Sequence, residues 1–164
     1  MYKNLASFNK LLPLFAMKED ITKVGVAADH AGFELKEAVK RYLHTRGVEV
    51  TDFGTNSPDS MDYPDVAHPL AVAVSTGRVN LGVAICGSGN GINMTVNKHQ
   101  GIRAALCWNS ELSTLARLHN DANILSLPAR FITVNQAIEI LSSFLDTEFE
   151  GGRHTNRVNK IACR

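Results

Sequence analysis

Between Leu81 and Gly91 the chain reads Leu-Gly-Val-Ala-Ile-Cys-Gly-Ser-Gly-Asn-Gly: an apolar run, a thiol, then glycine at every second position. An apolar run of this length bounded by glycine predicts a buried, parallel strand. Parallel strands need crossover connections, so this segment points the rest of the chain toward an α/β architecture. Ligands of such sheets bind just beyond the carboxyl ends of the strands, which puts Cys86 at the mouth of a site. The loop after it has little side chain to block its backbone N–H groups, and it suits an anion such as a phosphate or an enolate oxygen. On these residues alone two readings stay open. Cys86 is either a small buried hydrophobe or a reactive thiol, and the glycines are either an anion cradle or a tight strand-to-helix turn. Gly87, Gly89 and Gly91 lack the spacing of a dinucleotide fingerprint, and no G-x-x-x-x-G-K-[ST] loop occurs, which disfavours nicotinamide and nucleoside triphosphate chemistry.

The chain has 164 residues, 45% of them hydrophobic and 20% charged, which fits one soluble domain with a sizeable core. A formal net charge of +1 gives no general attraction to nucleic acid or to an anionic membrane, and neither is expected as a partner. Cys86, Cys107 and Cys163 are odd in number and show no C-x-x-C spacing, so neither a disulfide framework nor a zinc knuckle is indicated. Free thiols fit a reducing cytosol, and a cytoplasmic location is expected. The run Leu11 to Met17 is interrupted by Pro13 and is far too short to span a membrane. Residues 1–20 read as an N-terminal extension ahead of a domain over 21–164.

From Lys23 the pattern alternates. Strands are predicted at 24–28, 48–53, 81–86, 101–107 and 123–127, with helices at 33–46, 66–76, from the glycine loop to about 98, and at 110–119. Pro69 is expected in the first turns of its helix. Thr133 and Gln136 have capping-box spacing for a last helix ending near Leu145, and Gly151-Gly152 precedes a basic tail. Asp29-His30 and Cys86-Gly87-Ser88 then end strands on one edge of the sheet. His119 precedes the fifth strand and should emerge on the opposite edge, meeting the first group only through a second subunit.

Seven segments occur in order: Ala28-Asp29-His30-Ala31-Gly32-Phe33, Asp62-Tyr63-Pro64, Cys86-Gly87-Ser88-Gly89-Asn90-Gly91, Asn97-Lys98, Gly101-Ile102-Arg103-Ala104, His119-Asn120-Asp121-Ala122-Asn123 and Glu150-Gly151-Gly152-Arg153-His154. Together they resemble the type B ribose-5-phosphate isomerases, of the family that includes galactose-6-phosphate isomerase subunits, over residues 21–164. The resemblance implies a Rossmann-like α/β/α sandwich with a mostly parallel five-stranded sheet. It also implies a homodimer with sites shared between subunits, with a dimer of dimers as a further assembly. The implied reaction is the interconversion of ribose 5-phosphate and ribulose 5-phosphate, a step of the non-oxidative pentose phosphate pathway, by proton transfer through an enediolate, with neither metal nor cofactor.

The resemblance also assigns residues. Cys86 would be the general base; some relatives place a Glu where this chain has Ile92, which cannot accept a proton. Ser88 would relay a proton between O1 and O2, and His119 would open the furanose ring. The N–H groups of Gly87, Gly89, Asn90 and Gly91 would stabilise the enediolate oxygen. Asp29 and Asn120 would bind sugar hydroxyls. His30, Arg130, Arg153 and Arg157 would hold the phosphate, the arginines through their planar forks, with His154 as a second-tier contact. Pro128 stands where relatives have Gly, and its fixed φ of about −65° can shift the loop carrying Arg130.

Elsewhere plainer readings hold. His44 reads as solvent-exposed, Cys107 as core, and His68 and His99 have no partner that the sequence reveals. Asp29, His30, His119 and Asp121 match no standard ligand spacing, so no metal is expected. The alternatives are isomerisation of a six-carbon sugar phosphate (allose or galactose 6-phosphate) and a non-catalytic sugar-phosphate sensor.

Overall fold

The structure, a computed structural model, describes residues 21–162. The predicted N-terminal extension and Cys163 lie outside them. Five strands, β1 (Lys23–Ala28), β2 (Glu49–Asp52), β3 (Leu81–Cys86), β4 (Ala104–Leu106) and β5 (Ile124–Pro128), form one sheet in the order β2-β1-β3-β5-β4. Every pairing is parallel. All six residues of β3 are buried, as its apolar run requires of a central strand covered on both faces.

The helices are α1 (Phe33–Thr45), α2 (Tyr63–Ser75), α3 (Asn90–Val96), α4 (Ser110–Asn120), α5 (Val134–Asp146) and α6 (Arg153–Val158). One core joins Leu35, Val39 and Leu43 of α1, Ala116 of α4 and Ile140, Leu141 and Phe144 of α5 to one face of the sheet. A second core joins Val66, Leu70 and Val74 of α2 and Ile92 and Val96 of α3 to the other face. These two apolar layers make the three-layer sandwich. The capping box of α5 forms as its sequence predicts, with Thr133 Oγ1 accepting from the Gln136 N–H at 3.2 Å. Pro69 falls in the second turn of α2, on its exposed side. No helix among the described residues is long and apolar enough to cross a membrane.

β1 and β3 are neighbours, yet the chain leaves them in opposite directions, β1 toward β2 and β3 toward β4. Their carboxyl ends therefore flank a crevice that no crossover covers, the topological switch point of such sheets. Ala28 is in register with Ile85, and the Asp29 N–H donates to the Ile85 carbonyl at 3.1 Å. Asp29 and Cys86 thus stand side by side.

The fourth strand is shorter than its sequence suggests. Gly101 turns at φ +79°, and the stretch that follows is tied by side-chain amides as well as by the Asn123 N–H, which donates to the Arg103 carbonyl at 3.0 Å. Asn97 exchanges two 2.9 Å bonds with the Ala104 backbone. Asn123 accepts from the Arg103 N–H at 2.8 Å and donates to the Gly101 carbonyl at 2.7 Å. Both asparagines therefore serve the fold.

Beside the crevice lies a buried ion-pair cluster. Lys36, on the inner face of α1, is 0% exposed, and its Nζ lies 2.7 and 2.6 Å from the two Asp52 carboxylate oxygens. Lys40 Nζ reaches the same carboxylate at 2.7 Å, and Asp52 Oδ1 accepts from the Gly54 N–H at 2.9 Å. The Gly54 carbonyl accepts in turn from the Ala28 N–H at 2.8 Å. Burial opposes the Asp52 charge, but the bonds from Lys36, Lys40 and the Gly54 N–H outweigh it and hold the carboxyl below its usual 3.8. Replacing Asp52→Ala leaves the buried Lys36 ammonium with Glu37 Oε1 alone, at 3.4 Å, and should cost about 3–5 kcal/mol, read as a shifted denaturant midpoint. Because the folded carboxyl is the stronger acid, its contribution is complete above pH 3.8 and is lost as pH falls through the depressed value. The stability gap between parent and variant should narrow in that acid window.

Candidate active site

Two groups of side chains emerge, at opposite edges of the sheet. The first surrounds the β1–β3 crevice. Cys86 is 4% exposed at the end of β3, and Asp29 is 7% exposed at the end of β1. Asp29 Oδ1 accepts from the Gly32 N–H at 3.0 Å, capping a single 3-10 turn over His30–Gly32, which fixes the carboxylate beside the crevice. His30 Nδ1 accepts from the Met61 N–H at 3.3 Å, which leaves its Nε2 for a ligand.

The glycine loop carries the chain from β3 into α3. Ser88 is exposed, and its Oγ accepts from the Asn90 N–H at 3.3 Å. Gly89 caps α3 at φ +74°, and a Cβ there would collide with Leu106 Cδ1 and lie 3.2 Å from the Leu127 carbonyl carbon. A Cβ on Gly91 would lie 2.5 Å from the Tyr63 ring. These two glycines are thus demanded by the turn and by packing, quite apart from any anion. Arg130 closes the loop from the β5 side. The Arg130 N–H donates to the Gly87 carbonyl at 3.0 Å, and its Nε lies 3.3 Å from where a Gly87 Cβ would stand. Pro128 ends β5 in register with Cys86, and the ladder resumes one residue later with the Ala129 N–H on the Cys86 carbonyl at 3.0 Å.

The second group lies where α4 ends. α4 runs back from the carboxyl edge, so His119 and Asn120 emerge near the start of β5, where the Gly82 N–H donates to the Asn123 carbonyl at 2.9 Å. Along β3 the distance from Leu81 to Cys86 is roughly 16 Å at about 3.3 Å per residue, so one chain does not bring His119 to Cys86. The His119 ring instead stacks on His154 of α6, with centroids 4.2 Å apart and planes within 5°. Glu150 Oε2 lies 3.7 Å from His119 Nε2 and 3.6 Å from His154 Nε2. Arg153 Nε donates to His154 Nε2 at 3.3 Å, and Arg157 follows one turn later on α6. Burial, then the adjacent His119 and Arg153, push His154 below the usual 6.5, and Glu150 opposes this less strongly.

His119, Glu150 and His154 place three donor atoms within 4.8 Å of one another. Each imidazole lone pair lies in its own ring plane, and two stacked, parallel planes do not meet at one ion. With Arg153 on His154, the set is suited to anions and proton transfer instead of a cation. The four-residue metal set conceivable on paper is dispersed: Asp29 caps its turn at one edge, and Asp121 is paired with Arg103 and Arg117 at the other.

The fold and sequence that carry these two groups have close counterparts. The ribose/galactose isomerase family model matches residues 24–161. The chain belongs to that family. It is 44% identical over 137 residues to the probable ribose-5-phosphate isomerase B of Mycoplasma pneumoniae, covering 83% of this chain and 90% of that one. Among solved structures it resembles the ribose-5-phosphate isomerase B of Clostridium thermocellum, with 47% identity, a TM-score of 0.84 and coverage of 85% of this chain and 94% of that one. It also resembles the Mycoplasma genitalium enzyme, whose structure has ribulose-5-phosphate bound, with 41% identity, a TM-score of 0.82 and coverage of 85% and 93%.

Three features of this family member escape sequence reading. Tyr63, inside the Asp62-Tyr63-Pro64 segment, lies against Gly91 with its ring partly exposed at the crevice. His154 and Glu150 join His119 from more than thirty residues downstream. His68 and His99 pair with each other, Nδ1 to Nε2 at 2.8 Å, away from either group. Cys107 is inert core, its thiol pushed up to about 12 by burial. The glycine loop yields a direct expectation. Gly89→Ala places a Cβ at positive φ and against Leu106, and should destabilise the protein by roughly 2–4 kcal/mol in thermal or denaturant unfolding.

Proposed function

We propose that this chain interconverts ribose 5-phosphate and ribulose 5-phosphate, at a site assembled from the crevice of one subunit and the imidazole–arginine group of another. The observation that carries this reading is the seat of Cys86: a thiol beside a buried carboxylate at the switch point, opening onto a loop of backbone N–H groups. Ribulose-5-phosphate bound in the Mycoplasma genitalium relative supports the substrate class.

The reaction moves one proton between carbons and conserves electrons within the substrate, since C1 is reduced as C2 is oxidised. His119 protonates the ring oxygen of the furanose as the C1 hydroxyl gives up its proton, which frees the aldehyde. Cys86, as thiolate, takes the proton from C2, and the electron pair moves into a C1–C2 double bond with negative charge on oxygen. The N–H groups of Gly87, Gly89 and Gly91 stabilise that oxygen, whereas the Asn90 N–H, expected to share this task, is given to Ser88 Oγ at 3.3 Å. Ser88, exposed at the loop, passes a proton between O2 and O1, and Cys86 returns its proton to C1 to give the ketose. Asp29 and Asn120 hold hydroxyls. His30, Arg130, Arg153 and Arg157 hold the phosphate dianion by charge-assisted bonds. The two edges support a homodimer: His119 leaves the sheet opposite Cys86, and a two-fold axis would bring a partner's His119 across. A cytoplasmic location accords with the free thiol on which this chemistry depends.

A coupled assay with five- and six-carbon sugar phosphates tests the substrate. Preference for ribose 5-phosphate is expected, and turnover of only the six-carbon compounds would overturn it. Changing Cys86→Ala should lower kcat by about 10²–10⁴ with binding of ribose 5-phosphate within a few fold. Activity within tenfold of the parent would remove Cys86 from the chemistry.

The shared site has its own test. Cys86→Ala and His119→Ala chains, each inactive alone, should regain about a quarter of parental activity when mixed and allowed to exchange, since half the dimers are hetero and each carries one intact site of two. Exchange demonstrated by mass without any activity would show that each site belongs to one chain.

A further inference from the structure

The end of α4 is held by far more than a helix end requires, and the residues that hold it are outside the chemistry described above. Asp121 ends the helix in the left-handed region at φ +46°, the single non-glycine residue at positive φ among those described. Its two carboxylate oxygens are gripped from opposite sides. Arg103 Nη2 donates to Oδ2 at 2.8 Å, and Arg117 Nη1 donates to Oδ1 at 3.0 Å. The same arginines collect the carbonyls of the helix end. Arg103 Nε donates to the Asn120 carbonyl at 3.1 Å and to the Asp121 carbonyl at 2.8 Å, while Arg117 Nη1 donates to the Ala122 carbonyl at 2.6 Å. Arg117 Nε also reaches the Thr147 carbonyl at 3.3 Å, and the Glu150 N–H donates to the Leu118 carbonyl at 3.0 Å. The segment that carries Glu150 is thereby tied to the helix end that carries His119.

From this geometry we infer that Arg103, Arg117 and Asp121 form a brace of positioning residues that aims His119 for ring opening. The inference rests on the isomerase reading. Helix ends fray unless capped, and a ring-opening imidazole at the end of a helix must meet the ring oxygen at hydrogen-bond distance. A misplacement near 1 Å can cost about a hundredfold. Two planar guanidinium forks around one carboxylate remove that freedom, and a lysine cannot replace either fork because it presents a point charge on a flexible stem. None of the three side chains needs to touch substrate for this to hold.

The chemistry of the two sugars separates this role from plain structural support. Ribulose 5-phosphate has its carbonyl at C2 and its O5 esterified, so it cannot close a furanose ring. Enzyme-catalysed exchange of its C1 proton with solvent therefore needs the crevice around Cys86 but no ring opening. Two rates are measured on the intact protein: isomerisation of ribose 5-phosphate, and deuterium uptake at C1 of ribulose 5-phosphate in D2O. His119→Ala sets the benchmark for loss of ring opening. Arg103→Lys should lower isomerisation by about ten- to a hundredfold while exchange stays within about threefold of the parent. Asp121→Asn, which still tolerates the left-handed conformation, should show the same split in milder form, with an unchanged melting profile as the check on folding. Equal losses of both rates in folded variants, or no loss of either, would overturn the brace. A parent protein that catalyses neither reaction on five-carbon sugar phosphates would overturn the isomerase reading itself, and the brace with it.

Discussion

The pairing of β1 with β3 fixes where chemistry can occur in this molecule. With Ala28 opposite Ile85, the residue after each strand lands beside the other, and the Asp29 N–H on the Ile85 carbonyl locks the two ends together. A register slip of one residue would turn Asp29 and Cys86 to opposite faces of the sheet. The packing forbids that slip, because Val24, Val26, Val83 and Ile85 fill one face, while on the other a Cβ at Gly25 would lie 2.6 Å from Leu70 Cδ1 and one at Gly82 3.0 Å from Ile124 Cγ1. The core thus specifies the site, and the side chains at the crevice need only be of the right kind.

The two site regions are stabilised by different physics. Around the crevice, steric exclusion dominates: Leu106, the β5 backbone and Tyr63 press on Gly89 and Gly91, leaving one shape for the loop. At the end of α4, charge dominates: two arginines converge on Asp121 and the neighbouring carbonyls. Beneath the β2 edge, Lys36 and Lys40 on Asp52 extend that second style into the interior. Such ion pairs add little net stability over an apolar substitute but penalise any rearrangement that separates them.

The crevice was legible in the sequence because its signal is local. A buried strand, a thiol and alternating glycines are contiguous, so Asp29, Cys86 and the loop fall into place once the alternation of elements is read. The second group also fell where α4 was expected to end, but its internal partners did not show, since His119, Glu150 and His154 come together only through the packing of α6 on α4. Lys36 was hidden for another reason: a lysine between Leu35 and Glu37 reads as solvated, and only the approach of Asp52 makes its burial tolerable. Asn97 and Asn123, which sat inside motifs that suggested chemistry, proved to be backbone surrogates for a shortened strand.

The placement of the two groups on opposite edges also bears on how the protein would behave on dilution. For the proposed two-chain site, a lone chain holds both halves and can use neither. Below the dimer dissociation constant, the number of working sites then scales with the square of chain concentration, and specific activity falls as the solution is thinned. Substrate bridging the halves would pull the equilibrium back toward the pair, so that the sugar phosphate acts as an adhesive as well as a reactant.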